Sequence, residues 1–137
     1  TRKNTLSLHD ALPISDEARR LLGPSRWVGA TVRDLEGIQA AKAAGADHVG
    51  LGPVFPTHTK VVEAPPLGLE RLARIAAESP LPVVAISGIG LHNIEHVARA
   101  GVHGAAVASG LLMAPDIAEQ ARRLREAFER GRSRHTL

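Results

Sequence analysis

An α/β fold is predicted for this chain by three observations. From residue 15 onward, helical stretches alternate with short apolar ones in regular order. The apolar stretches are apolar throughout instead of at every second position, the pattern of strands covered on both faces in a parallel sheet. The length, 137 residues, suits one modest domain.

Each element follows from its residues. Ser15 can cap a first helix whose opening turn holds Asp16 and Glu17, the charge sign a helix amino terminus favours. Ala18, Leu21 and Leu22 lie along that helix, and Gly23-Pro24 stops it. Residues 27–31 read as a buried strand. Asp34 can cap a second helix carrying Leu35, Ile38 and Ala41, closed by Gly45. A second strand, 48–52, opens a long loop rich in Pro, Thr and Gly that runs to Gly68. Leu69, Leu72, Ile75 and Ala76 mark a third helix ending before Pro80. Residues 82–86 form a third strand that runs into Ser87-Gly88-Ile89-Gly90. Asn93, Ile94, Val97 and Ala98 give a fourth helix ended by Gly101, and 104–108 a fourth strand leading to Ser109-Gly110. A last helix opens after Pro115-Asp116 with Ile117, Ala121, Leu124 and Phe128.

Four parallel strands fall short of a (β/α)8 barrel, which takes ~250 residues and eight strands. The competing open sheet carries a glycine fingerprint directly after its first strand. Here that place holds Thr31-Val32-Arg33-Asp34, so half a barrel is the predicted architecture. An internal echo accompanies it. Ala44-Gly45-Ala46-Asp47 precedes one strand and Ala100-Gly101-Val102-His103 another, either as a repeat or because helix-to-strand turns favour Ala-Gly.

Composition narrows the function. Apolar residues at 44% and charged residues at 23% are ordinary globular usage. Trp27, Phe55 and Phe128 are the only aromatics, too few for a base-stacking nucleic-acid surface. No apolar run approaches the ~20 residues of a membrane span. With no cysteine, disulfides, thiolate nucleophiles and zinc–sulfur sites are excluded. Seventeen basic against 14 acidic residues give +3, too mild to imply a polyanionic partner. A cytoplasmic location is expected. The sequence opens on Thr1, which predicts a processed or incomplete chain. Residues 1–15 lack the apolar stretch of a secretory signal and show no period, so they read as an extraneous or disordered leader. The domain is expected over 16–130, with a disordered basic tail at 131–137.

Barrel chemistry sits where strands end and the following loops begin. Those places supply Thr31, then the loop containing Thr57, His58, Thr59 and Lys60, then Ser87-Gly88-Ile89-Gly90, and finally Ala108-Ser109-Gly110. Glycines let a backbone approach an anion, hydroxyls donate, and helix amino termini add a favourable dipole, so the set suits phosphate. Lys60 could neutralise a diphosphate leaving group. Each feature alone also reads as an ordinary turn or hydrophilic loop; their recurrence at one end of consecutive strands is the signal. His48, His92, His96 and His103 read as solvated surface histidines. The i, i+4 pair His92/His96 has no acidic neighbour of the metalloprotease kind.

The segments GPVFPTHTK at 52–60, GLERL at 68–72, VVAISGI at 83–89 and GAAVASGLL at 104–112 resemble thiamine phosphate synthases. EARRLLGP and AAGADHVGLG ahead of them fit in order and spacing, and the resemblance spans 17–128. It implies the carboxyl-terminal half of a (β/α)8 barrel. It also implies a transferase that joins hydroxymethylpyrimidine diphosphate to a thiazole phosphate, releasing pyrophosphate. In that reaction the pyrimidine–diphosphate bond ionises and the thiazole nitrogen captures the cation.

By the resemblance, Thr31 stands where a serine usually donates to the diphosphate, and Lys60 matches the lysine on the same group; both are expected to be catalytic. Thr57, His58 and Thr59 match the loop around the thiazole phosphate. Gly88 matches the glycine whose backbone binds it, and Ala108 and Ser109 match the pair after the last strand. Magnesium, Mg2+, is the implied cofactor, but its two aspartates lie on strands upstream of anything recognisable here, and the surroundings of Asp10 do not match. No metal ligand is therefore assigned, and the isolated chain is expected to be inactive. The other readings are a thiazole tautomerase of the same superfamily and a non-catalytic phosphate-binding module. Expected partners are small phosphorylated molecules, with no nucleic acid or membrane and with self-association through exposed sheet edges.

Overall fold

The structure, a computed structural model, describes residues 11–57 and 65–135. In chain order the elements are α1 (Ala11–Leu22), β1 (Gly29–Val32), α2 (Leu35–Ala43), β2 (His48–Leu51), α3 (Gly68–Glu78), β3 (Val83–Ala85), α4 (Ile94–Arg99), β4 (Gly104–Ala105), α5 (Ser109–Leu112) and α6 (Ile117–His135). The four strands form one parallel sheet in the order β1-β2-β3-β4. Every strand therefore lies beside its neighbour in sequence. A doubly wound sheet reverses direction at a switch point, whereas a barrel advances by one strand each time. The predicted half barrel is the architecture found.

Several predicted signals do what their chemistry requires. Asp34 caps α2 by accepting from the Gly37 amide at 2.7 Å, and Asp116 accepts from the Glu119 amide at the start of α6. Gly45 and Gly101 follow α2 and α4 with φ of +89° and +87°, the left-handed region where a side chain is penalised. The echo between their two turns is structural. Asp47 Oδ2 accepts from the Val28 amide at 2.7 Å, and His103 Nδ1 accepts from the Val83 amide at 3.3 Å. The amides of the same two residues donate back to the Val28 and Val83 carbonyls. Each turn thus clasps the start of the preceding neighbouring strand.

One face of the sheet is closed. Ala30, Val32, Val49, Leu51, Val83 and Ala85 pack with Ile38, Leu72, Ile75, Ile94, Val97 and Leu124 in a continuous core. The opposite face departs from the expectation of burial on both sides. Gly29, Thr31, His48, Gly50, Val84 and Ile86 line an open cavity of about 440 Å³, bounded by Ala18, Leu22 and Trp27. In a closed barrel this face looks inward, and apolar residues suit it there; the described chain offers no second layer to cover it.

Other departures are local. Helix α1 starts at Ala11, so Ser15 lies inside it, 5% exposed, and is not its cap. Pro13 falls in the first turn, where a missing amide costs the helix nothing. Trp27 is 78% exposed and precedes β1. The fourth strand is short: Ala106 makes a last amide bond to the Ala85 carbonyl, and 109–112 forms a short helix instead of a plain turn. His48 is half-buried, with its ring across Gly29 and beside Trp27 at 6.2 Å between ring centroids. Its Nδ1 is buried with no hydrogen-bond partner among the described residues, so His48 is not a solvated surface histidine.

The expected fraying after Gly131 is not found, because α6 continues to His135. Gly131 is buried against α4, where a methyl group would collide with the Glu95 carbonyl oxygen. Glu95 also gathers Arg99, Arg130 and Arg134. Partial burial pushes its carboxyl up, yet Arg99, Arg134 and Arg130 together hold it below the usual range. No described helix is long and apolar enough to cross a membrane.

Candidate functional site

The carboxyl ends of the strands converge. Beyond β2 the chain continues alongside the end of β3: the Val54 amide donates to the Ile86 carbonyl at 3.0 Å and the Phe55 amide to the Ser87 carbonyl at 3.3 Å. Ser87 and Gly88 both have positive φ, +77° and +73°. For Ser87 this backbone is strained by about 1–3 kcal/mol, a cost that recurs at ligand-binding turns. Gly88 has no freedom to carry a side chain. A methyl there would lie 2.7 Å from both Phe55 Cβ and the Pro56 carbonyl oxygen.

On its other side the same turn touches the end of β4. A methyl on Gly110 would lie 3.0 Å from the Ile89 carbonyl oxygen and 3.2 Å from Gly90 Cα. Gln120 of α6 fixes this corner by donating to the Gly110 carbonyl at 2.8 Å. Three of the predicted strand ends are therefore packed side by side at one rim: Pro56-Thr57, Ser87 to Gly90, and Ala108 to Gly110. Thr57 and Gly88 are half-buried, while Ala108 and Ser109 are exposed.

Thr31 stands apart from that trio. It pairs with Gly50 in the sheet and points into the open cavity, one residue short of the end of β1. Gly50 separates it from Ile86. A methyl on Gly50 would meet Ile86 Cγ2 at 3.4 Å and Thr31 Oγ1 at 3.9 Å. His58, Thr59 and Lys60 lie outside the described residues, as does Asp10.

Sequence reading placed Ser87 at this rim but not its left-handed backbone, which no propensity announces. It passed over Asn93, read only as a member of the fourth helix. Its side chain reaches back to the Gly88–Gly90 turn and makes no capping bond to its own helix. An asparagine three residues after a Ser-Gly-Ile-Gly turn was the available signal.

The donors among the described residues do not make a magnesium site. No group of three or more His, Cys, Asp or Glu side chains is gathered among the described residues. Asp34, after β1, is committed to its helix cap.

A singly wound set of parallel strands, with its strand-end turns gathered at one rim, defines this molecule as a segment of a (β/α)8 barrel. A family model described as thiamine monophosphate synthase matches residues 9–111, and the chain belongs to that family. The match takes in residues 9–15, which sequence reading had set apart. A thiamine-phosphate synthase of Myxococcus xanthus is 64% identical over 118 residues, 86% of this chain and 54% of that protein. One from Anaeromyxobacter dehalogenans is 52% identical over 90% of this chain and 55% of its own length. Among solved structures, a thiamine phosphate pyrophosphorylase from Pyrococcus furiosus superposes with a TM-score of 0.74. It is 37% identical, over 85% of this chain and 55% of that one. The chain thus spans about half the length of the relatives it matches.

Proposed function

We propose that this chain is the carboxyl-terminal half of a thiamine phosphate synthase barrel and supplies its thiazole-phosphate site. The observation that supports this best is the packing of the Pro56-Thr57, Ser87–Gly90 and Ala108–Gly110 turns against one another. Side-chain-free backbone at Gly88, with the hydroxyls of Thr57, Thr59 and Ser109, can enclose a phosphate with neutral donors. Ala108 lies at the same rim, and His58 is assigned to the site by its place between the two threonines. Thr31 and Lys60 serve the second substrate, hydroxymethylpyrimidine diphosphate. Lys60 balances the negative charge that grows on the departing diphosphate, and Thr31 donates to it. Bond cleavage at the pyrimidine carbon then leaves a cation for the thiazole nitrogen to capture, giving thiamine phosphate and pyrophosphate. Magnesium would assist departure of the diphosphate in whole relatives, but the described residues do not hold it, so no step is assigned to it here.

The reading has two parts, separately testable. Binding of thiazole phosphate by the 137-residue chain should be measurable by calorimetry. Ser109→Ala should weaken it roughly three- to tenfold, the loss of one hydrogen bond to a charged group. Unchanged affinity in that variant removes Ser109 from the site. Turnover is expected to be absent when both substrates and magnesium are supplied; robust formation of thiamine phosphate by the isolated chain overturns the proposal of incompetence.

The exposed edges of β1 and β4 are further proposed to meet a second copy of this chain. Large apolar side chains are exposed in the segments that precede β1 and follow β4: Leu21, Leu22 and Trp27 in the first, Leu112, Met113 and Ile117 in the second. Two four-stranded sheets supply the eight strands that closure requires.

A further inference from the structure

We infer that Asn93 is a positioning residue that sets the shape of the phosphate turn, an inference resting on the phosphate reading given above. Its carboxamide is used at both ends. Oδ1 accepts from the Gly90 amide at 2.9 Å, and Nδ2 donates to the Gly88 carbonyl at 2.9 Å. A carboxamide offers an acceptor and a donor on one planar group, so it can bridge an amide and a carbonyl two residues apart. Serine and alanine cannot span that pair.

The bonds are made at the expense of the helix. Asparagine before a first helical turn ordinarily accepts from amides of that turn; here no such side-chain bond is formed. The Asn93 main chain still starts the helix, with its carbonyl accepting from the Val97 amide at 3.0 Å and its amide donating to the Gly90 carbonyl at 3.1 Å. His92 Nε2 lies 3.1 Å from Asn93 Nδ2, which gives the carboxamide a further neighbour in its observed orientation.

Binding the Gly88 carbonyl fixes the peptide plane on one side of Ile89, and binding the Gly90 amide fixes the plane on the other. The consecutive left-handed residues Ser87 and Gly88 are strained or permissive, so this turn needs an external restraint to hold one shape. Asn93 supplies it. The turn that follows the Gly88 amide then meets a phosphate in one shape, and binding does not have to order it.

The test titrates inorganic phosphate into the isotopically labelled 137-residue chain and follows the backbone amide signals of Gly88, Ile89 and Gly90. Three proteins are compared: the parent, Asn93→Ala, and Asp34→Ala. The last uncaps α2 without touching the turn and controls for general destabilisation. The expected result is saturable movement in the parent and a roughly tenfold weaker affinity in Asn93→Ala, with Asp34→Ala like the parent. Hydrogen exchange at the Gly90 amide should accelerate in Asn93→Ala alone. Asn93→Asp keeps the acceptor and serves where the alanine variant does not fold; its Gly90 amide should stay protected. Equal affinity in Asn93→Ala and the parent overturns the inference, as does equal weakening in Asp34→Ala. If the parent shows no response to phosphate, the phosphate reading itself falls, which the Gly90 exchange rates distinguish from failure of the clamp.

Discussion

The two ends of the sheet are built by opposite means. At the amino-terminal ends, side chains hold the backbone: Asp47 and His103 clasp the starts of β1 and β3. Arg19 ties α1 to the Gly45 carbonyl, the Arg26 carbonyl and Asp47. At the carboxyl-terminal ends, side chains are missing where the backbones meet, at Gly88 and Gly110, and two consecutive residues, Ser87 and Gly88, take left-handed conformations. One end ties strand to strand through polar side chains; the other brings bare backbone against backbone and braces each turn from the following helix, through Asn93 and Gln120. In barrels this division separates the face that carries stability from the face that carries function.

The sharpest way to break the contrast is to add one methyl group at the carboxyl-terminal rim. Gly88→Ala should cost about 2–3 kcal/mol in urea unfolding, combining a disallowed φ with a collision against the Pro56 carbonyl. It should also eliminate detectable phosphate binding. A variant that binds normally would show that the rim does not depend on bare backbone.

A change at the other end should have the reverse profile. Asp47 accepts from the Val28 amide and from Arg19, and these bonds hold its carboxyl below its ordinary value of 3.8. A lowered folded-state pKa means that the stabilisation is complete above 3.8 and lost as pH falls through the folded value. Asp47→Asn should therefore lower the melting temperature at neutral pH, with the gap to the parent closing in acid below about 4. Phosphate affinity should not change. A gap that persists undiminished to the acid limit would remove the charge of Asp47 from the account.

The smallest effect is expected at Trp27. Trp27→Ser should reduce concentration-dependent association in sedimentation velocity while leaving melting temperature and phosphate affinity near the parent values. Unaltered association would exclude this edge as the contact between copies.

The same contrast explains what could be read from the amino acids alone. Caps and stops were legible because Asp34, Asp116, Gly45 and Gly101 act within one turn of their own position. The strand-end turns were legible because small and hydroxylated residues recur after successive strands. Their contact with one another was not, since it depends on the stacking of three turns far apart in sequence. Trp27 was misassigned because an aromatic beside Val28 reads as strand, whereas the ladder begins only at Gly29. Gly131 was misread as the start of a loose tail. Glycine there serves close packing against the Glu95 carbonyl, which no local rule reveals.

The paired clasps at Asp47 and His103 have a further consequence. Each joins two adjacent strands, β1 with β2 and β3 with β4, through the same turn and the same pair of main-chain and side-chain bonds. The half barrel is thus two quarter-barrel modules, each with its own latch. Between them run the β2–β3 ladder, its continuation through the Val54–Ile86 and Phe55–Ser87 bonds, and the shared core, but no latch of that kind, so one module can loosen at its clasp while the other stays shut.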